Sequence, residues 1–481
     1  MNSSRRTRAL LAAAALVAAV SLVTSCAGAK PAPAAADSST GLWLDRPRVA
    51  LSFNVAPDLA SATGKESVAF TPDLSTCELD FRAWPNSPTM HKAGAALNVT
   101  SASVESRPTT PQVTAAGAPD GAPGTLITIP LPGCLAAGQT THADLDFQLT
   151  LGADADERAG HSPKTHTAWF GSGFPLLSWI RGSGWARDPA VAMNGETAAS
   201  EDFMLTDLSV TAPSGDKVLG PGTSAGDVAS PTPGTTTHRF RAPAIRDVTV
   251  EVGNYDVLDR DIGNAHLHLA TPTSGTKATP AQWADQIEHT VVGLTQIFGP
   301  FPYPDLTVAI TPGQSDGTEY PTAIQISDSK SDDLPALVTH EVSHQWFYSL
   351  VGNNQAQDPW LDEALATFGE AVVGGDAGNY QYDHIPQRVV GLMGQPMSYW
   401  VTHCGFSRYT EAVYNQGAAV LLEARRRVGD EKFDAALRNY IDGNAHRVAT
   451  PASFAQAFTG LPVVLDLLRA AGALPESGKT Q

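Results

Sequence analysis

The stretch VTHEVSHQWFYSLVGNNQAQDPWLDEALATF, Val338 to Phe368, sets His340, Glu341 and His344 on one short segment and Glu363 after eighteen intervening residues. Two histidines four apart share a face of an α-helix of about 3.6 residues per turn, so both imidazoles reach one ion. Glu341, about 100° around from His340, leans beside that ion without ligating it. Glu363 is placed to supply a third ligand. Two neutral imidazoles and a carboxylate suit zinc, and three protein ligands leave a fourth position for water, as in a hydrolytic rather than a structural site.

The surroundings support helices on both sides of this spacing. Leu337, Phe347 and Leu350 are the apolar positions of a helix around the pentad, with Gly352-Asn353 as its stop. A second helix is predicted to start at once, capped by Asp358 with Pro359 at its first position. Glu363 then falls early on that helix, whose Leu361, Leu365 and Phe368 make a buried stripe.

Three separate motifs resemble the aminopeptidase N type family of zinc metallopeptidases, gluzincins that include leukotriene hydrolase. The pentad followed by WLDEALA resembles the family's H-E-x-x-H, eighteen residues, then glutamate within W-L-x-E-G-F-A, with Asp362 and Ala364 where the family usually has Asn and Gly. DGTEYPTAI resembles the G-x-M-E-N loop, and VYNQGAAVLL the Y-x-x-G-A segment. FPLLSWIRGSGW and FGPFPYPDLTVAI also resemble family text, so the likeness runs from about residue 45 to the last helix.

The resemblance implies one zinc ion held by His340, His344 and Glu363, with Glu341 as the general base that passes a proton from water to the leaving amine. It implies Tyr414 as the phenol donor to the oxyanion, Tyr409 being the runner-up. It also implies that Glu319, in the loop with Gly317, accepts the free α-ammonium of a peptide through charge-assisted hydrogen bonds. Thr318 and Tyr320 replace the family's Met and Asn, so the wall beside that acid differs. The expected activity is release of N-terminal amino acids. The chain resembles a member lacking the family's large C-terminal helical domain. The open cleft that would result keeps a zinc endopeptidase as one alternative, and a catalytically silent peptide-binding surface lipoprotein is another.

The start of the chain, MNSSRRTRALLAAAALVAAVSLVTSC, places Arg5, Arg6 and Arg8 before an apolar run from Ala9 to Val23, shorter than a membrane span. Residues 1–25 read as a lipoprotein signal peptide. Val23, Thr24 and Ser25 before Cys26 resemble a bacterial lipobox, so Cys26 is the expected lipid anchor and the protein is expected to be extracytoplasmic and membrane-attached. Residues 26–44 read as a tether poor in bulky apolar residues. The formal charge is −18 and the leader carries three arginines and no acid, so the remainder stands near −21. That disfavours nucleic acid as a partner and leaves peptides as the expected one. Beyond Cys26, the preferred disulfide joins Cys77 to Cys134, because both fall in one predicted domain, with Cys404 left over; three pairings are open.

Residues 45–255 alternate apolar and polar side chains in short runs broken by Pro, Gly and Ser. Val49, Leu51, Phe53 and Val55 predict one half-buried strand, Leu145, Phe147, Leu149 and Leu151 another, and Val248, Val250 and Val252 a late one. Many such strands without helical spacing predict an N-terminal antiparallel β-sandwich, with long loops at Pro108 to Gly124 and Gly215 to Thr237. After Tyr255 the pattern changes. A strand at His266 to Leu269 leads to a helix spaced by Trp283, Ile287, Leu294 and Phe298, then to a strand through Leu306, Val308 and Ile310. His266 and His268, two apart on that first strand, read as surface residues. Residues 256–475 are predicted to form a thermolysin-like α+β domain, mostly helical and bearing the zinc; the resemblance implies the same.

Overall fold

The computed structural model describes residues 42–193, 200–403 and 405–475. The segments expected to be a signal peptide and a lipobox with Cys26, most of the expected tether, and Cys404 lie outside the described residues. Buried apolar side chains form two large clusters. One runs from Val49 to Val252, and the other, apart from Met193, from Ile262 to Leu474.

The first cluster is enclosed by β-sheet. An eight-stranded sheet runs in the order Thr223–Ala229, Thr235–Ile245, Phe203–Pro213, Arg48–Val55, Ser61–Phe70, Thr141–Thr150, Ala96–Val104, Arg107–Thr109. Alternate side chains of Arg48–Val55 and Thr141–Thr150 point into the core, as strand periodicity requires, and Phe53 packs edge-on against Phe147 with ring centroids 5.7 Å apart. A five-stranded and a four-stranded sheet contribute the rest of the cluster. Cys77 and Cys134 are joined by a disulfide within this half.

Three details differ from expectation. The sheet is not purely antiparallel, because Arg48–Val55 lies parallel to Phe203–Pro213, with Leu51 opposite Leu208. Thr249–Gly253 is buried on both faces rather than half-buried, lying inside the five-stranded sheet between Lys217–Leu219 and Thr167–Gly171. The stretches expected to be long loops are partly strand: Arg107–Thr109 and Gln112–Thr114 in one, Lys217–Leu219 and Thr223–Ala229 in the other. Short edge strands of polar residues carry little apolar alternation, and Thr223–Ala229 is exposed throughout.

In the second half, a five-stranded sheet runs Tyr255–Ile262, Ala265–Pro272, Asp305–Thr311, Ala323–Ser327, Gly317–Tyr320. Against it packs the helix Pro280–Phe298, started by a capping box in which Thr279 and Gln282 satisfy each other's backbone. Helices dominate from Leu334 onward, so residues 256–475 join this five-stranded sheet and the helix Pro280–Phe298 to a helical region.

A buried charged network ties residues of the first half to the end of the second. Asp202 pairs with Arg246 at 2.8 Å and with His446 Nδ1 at 2.6 Å, while Arg246 donates to the carbonyl of Ser349 and Arg181 to that of His446. Each charge has a partner, which is the condition under which burial is tolerated.

Glu66 breaks that rule. It faces the core between Leu51 and Leu145 on the flanking strands, is 1 % exposed, and neither carboxylate oxygen has a hydrogen-bond partner among the described residues. Burial therefore holds its carboxyl well above the usual range. A carboxyl raised in the folded state contributes its stability below the unfolded-state value and loses it as pH rises through the folded one. Glu66→Leu is expected to raise stability at pH 8 by about 1–3 kcal/mol, with a smaller gain at pH 4.5, as read by urea unfolding at both values.

Candidate metal centre

The first ligand helix, Leu334–Ser343, ends at His344 rather than continuing toward Gly352. The chain tightens there, Gln345 N–H donating to Val342 and Trp346 N–H to Ser343, and Tyr348 takes a left-handed φ of 83°. Val351–Asn353 then pairs as a short strand with Arg447–Ala449. The second ligand helix is Trp360–Val373, and its N-cap is Pro359, not Asp358. Asn354 supplies the turn instead, its side-chain oxygen accepting from the N–H groups of Ala356 and Gln357, while Asp358 gives only its backbone carbonyl to Leu361. Leu361, Leu365 and Phe368 are buried as expected, but so is nearly every other side chain of this helix.

The two helices approach closely because position 369 is glycine. A Cβ there would stand 2.2 Å from Ser343 Oγ.

This packing brings together the three residues selected by spacing. His340 Nε2 lies 3.2 Å from Glu363 Oε2 and 3.3 Å from His344 Nε2, and His344 Nε2 lies 3.6 Å from the same Glu363 oxygen. Ligand atoms about 2.0–2.2 Å from a tetrahedral zinc are separated by about 3.3–3.6 Å, so the triangle fits that ion. All three side chains are nearly enclosed, with side-chain exposures of 14 %, 1 % and 6 % for His340, His344 and Glu363.

Outer partners orient these groups. His340 Nδ1 meets Glu370 Oε2 at 3.2 Å, Glu370 Oε1 accepts from the Tyr380 hydroxyl at 2.7 Å, and His344 Nδ1 lies 3.3 Å from the carbonyl of Phe347. The negative charge is felt by both rings. Burial disfavours the charged imidazoles, yet Glu363 and Glu370 hold His340 well above its usual range, and Glu319 and Glu363 push His344 up to about 9. Such a pocket favours a cation.

Glu341 is 5 % exposed, and its Oε2 has no hydrogen-bond partner among the described residues. Burial pushes its carboxyl up to about 8 against the pull of His340 and His344. Gly317, on the edge strand Gly317–Tyr320, lets backbone pass against it, for a Cβ there would sit 2.2 Å from Glu341 Cδ. Glu319 follows on the same strand, 4 % exposed, accepting from Gln355 Nε2 at 3.4 Å; that amide also donates to Asp362 Oδ2 at 2.9 Å. Burial first, then the charges of Glu363 and Glu319, push Asp362 up to about 7.

Tyr414 lies on a π-helical turn, Thr410–Asn415, between helices Gly405–Tyr409 and Gln416–Val428. Its ring stacks on His340, centroids 5.7 Å apart and planes 9° from parallel. One extra residue in a helical turn re-aims the side chains around it, a device common at functional sites. Tyr409 is wholly buried in the core instead. A cavity of about 370 Å³ is lined by Gly317, Glu319, His340, Glu341, His344, Glu363 and Tyr414, and also by Arg158 and Glu370.

Sequence reasoning missed several of these neighbours. Glu370 stands seven residues after Glu363, two helical turns on the same face, and that spacing could have found it. Gln355 and Arg158 carried no local signal, since they arrive from a turn and from the β-rich half.

Residues 321–399 match a family model described as the peptidase family M1 domain. Aminopeptidase N of Haemonchus contortus is 29 % identical over 121 residues, which is 22 % of this chain, and the chain spans only 12 % of that relative. Among solved structures, the M1 zinc metallopeptidase of Deinococcus radiodurans superposes with a TM-score of 0.64 at 17 % identity, over 91 % of this chain and 96 % of that one. A mutant of an M1 zinc metallopeptidase from the same organism, bound to a Tyr-Ser-Ala substrate, gives a TM-score of 0.65 at 16 % identity, over 91 % of this chain and 96 % of that one. The likeness therefore extends over both halves of the fold.

Since Glu370 meets His340 Nδ1 from outside the donor triangle, Glu370→Gln is expected to weaken any zinc affinity of the triangle about 10–100-fold, with an unchanged circular dichroism spectrum, as measured by competition with a chromophoric chelator.

Proposed function

We propose, from the premise that this chain carries a peptidase family M1 domain, that it is a zinc-dependent aminopeptidase releasing residues from the free N-termini of peptides. The observation that carries this reading is the presence of a buried carboxylate, Glu319, in the same cavity as the His340, His344 and Glu363 triangle and Glu341. An endopeptidase has no need of an acid at that place; a terminal ammonium does.

One catalytic ion would be held by His340, His344 and Glu363. When bound, zinc supplies a polarising charge and a water that ionises near neutrality. The residues of the chain do the rest. Glu341 accepts a proton and returns it to the leaving amine, its buried carboxyl being raised toward the working range of a general base. Tyr414 donates a hydrogen bond from its hydroxyl to the charge developing on the scissile carbonyl oxygen. Its stacking on His340 fixes the ring within the cavity. Glu319 receives the α-ammonium and so sets which bond meets Glu341, while Gln355 holds its carboxylate from behind. Gly317 keeps the edge strand close enough to Glu341 for these two acids to share one cleft.

The lipobox-like sequence before Cys26 supports a lipid-anchored, extracytoplasmic location for this activity, with the peptidase carried on a tether.

The test compares aminoacyl and N-acetyl-aminoacyl fluorogenic peptides, with and without chelator. Free substrates are expected to be cut and acetylated ones spared, chelator abolishing all turnover. Glu341→Gln is expected to keep zinc and lower kcat by about 10²–10⁴-fold, and Glu319→Ala to raise KM for free N-termini. Equal cleavage of acetylated peptides would convert the assignment to an endopeptidase, and full turnover in Glu341→Gln would refute the assigned base.

A further inference from the structure

Two imidazoles outside the cleft stand among carboxylates in an arrangement that the proposed chemistry does not use. His266 and His268 are two apart on the strand Ala265–Pro272, so both project from one face of the sheet. The neighbouring antiparallel strand sets Asp261 directly opposite His266 and Asp259 opposite His268. The parallel strand on the other side begins with Asp305, in register with His266. Five ionisable side chains from three adjacent strands thus share one patch.

The donors stand near enough for small side-chain rotations to gather them on one ion. Ligand atoms of Asp259, His266 and His268 all lie within 4.8 Å of one another, and the imidazole centroids are 4.8 Å apart. Asp261 Oδ1 holds His266 Nδ1 at 2.7 Å, Asp259 Oδ1 holds His268 Nδ1 at 2.7 Å, and Asp305 Oδ1 stands 3.5 Å from His268 Nε2. Asp261 on His266 Nδ1 leaves Nε2 of that ring to a cation, and Asp305 stands behind His268 at Nε2, each the usual outer support of a ligating histidine, while a cation would replace the proton shared by Asp259 and His268 Nδ1 and take both groups as ligands. The rings are partly open, with side-chain exposures of 40 % and 28 %. A cavity of about 460 Å³ bordered by Asp259, His268, Asp227 and His238 gives access from solvent.

We propose that His266, His268 and Asp259 form a second divalent-cation site, supported by Asp261 and Asp305 and specific for a borderline first-row ion such as zinc, nickel or copper. Two imidazoles exclude magnesium and calcium as preferred occupants, since those ions take oxygen ligands. None of these five residues lines the cavity around Glu341. The site lies toward one edge of the five-stranded sheet, whose opposite edge is the strand carrying Glu319. An ion there pins together the hairpin Tyr255–Ile262 and Ala265–Pro272, so its effect is on the stability of the sheet rather than on turnover.

Zinc titration of the chelator-treated full chain by calorimetry, paired with thermal melts, tests this. The wild-type protein is expected to bind two equivalents, the second raising the melting temperature beyond the first. His266→Ala/His268→Ala is expected to bind one equivalent, to lose that second rise, and to keep peptide hydrolysis. Asp259→Asn, milder and partly exposed, is expected to weaken the second equivalent at least tenfold, and magnesium is expected not to replace it. A single equivalent in the wild type, or two in the double-alanine variant, overturns the proposal. His340→Ala separates this site from the catalytic one: it is expected to lose the first equivalent and retain the surface one, and loss of both would contradict an independent second site.

Discussion

Three donor atoms, two imidazole nitrogens and one carboxylate oxygen, converge within 3.2–3.6 Å in a nearly enclosed pocket, and the surrounding structure is arranged to make that convergence possible. Burying such groups costs several kcal/mol per charge unless they are paired or coordinate a metal. The fold meets the condition by packing one ligand helix on the other at Gly369 and by surrounding the donors with Glu370, Phe347 and Tyr380. A cation held by the three donors would complete the compensation. Without one, His340 and His344 are pressed toward protonation by their acidic neighbours.

The acids around the triangle divide by position. Glu363 is itself one of the donors, Glu370 stands behind a ring, and Glu341 leans beside the pair with one oxygen unpartnered among the described residues. Glu319 comes from a separate element, an edge strand of the five-stranded sheet, and Gln355 connects it to Asp362. Where the resembled family usually has Asn, Asp362 places a second carboxyl behind Glu319, and burial with its acidic neighbours raises it to about 7.

The convergence of His340, His344 and Glu363 was legible because helical geometry converts a spacing of four into a shared face, and because Glu363 followed at a distance that a helix, a turn and a helix can bridge. Core strands such as Arg48–Val55 were legible for the same kind of reason, their alternation being a direct consequence of one buried face. The helix ends were not. Nothing local announces that the first ligand helix stops at His344, since the turn is set by hydrogen bonds from Gln345 and Trp346 and by Tyr348 at positive φ. Asp358 had the right chemistry for a cap and the wrong backbone, because Asn354 makes the turn four residues earlier. The parallel placement of Arg48–Val55 beside Phe203–Pro213 joins segments some 150 residues apart, and Gln355 and Arg158 reach the cleft only through tertiary folding. Such pairings carry no periodic signal.

The most direct measurement is X-ray absorption at the zinc edge on the His266→Ala/His268→Ala variant loaded with one equivalent of metal. The account predicts two nitrogen and one carboxylate oxygen ligands from protein at about 2.0–2.2 Å, with a further light atom from solvent, all lost in His344→Ala. A sulfur ligand, or a first coordination sphere unchanged by His344→Ala, would contradict it.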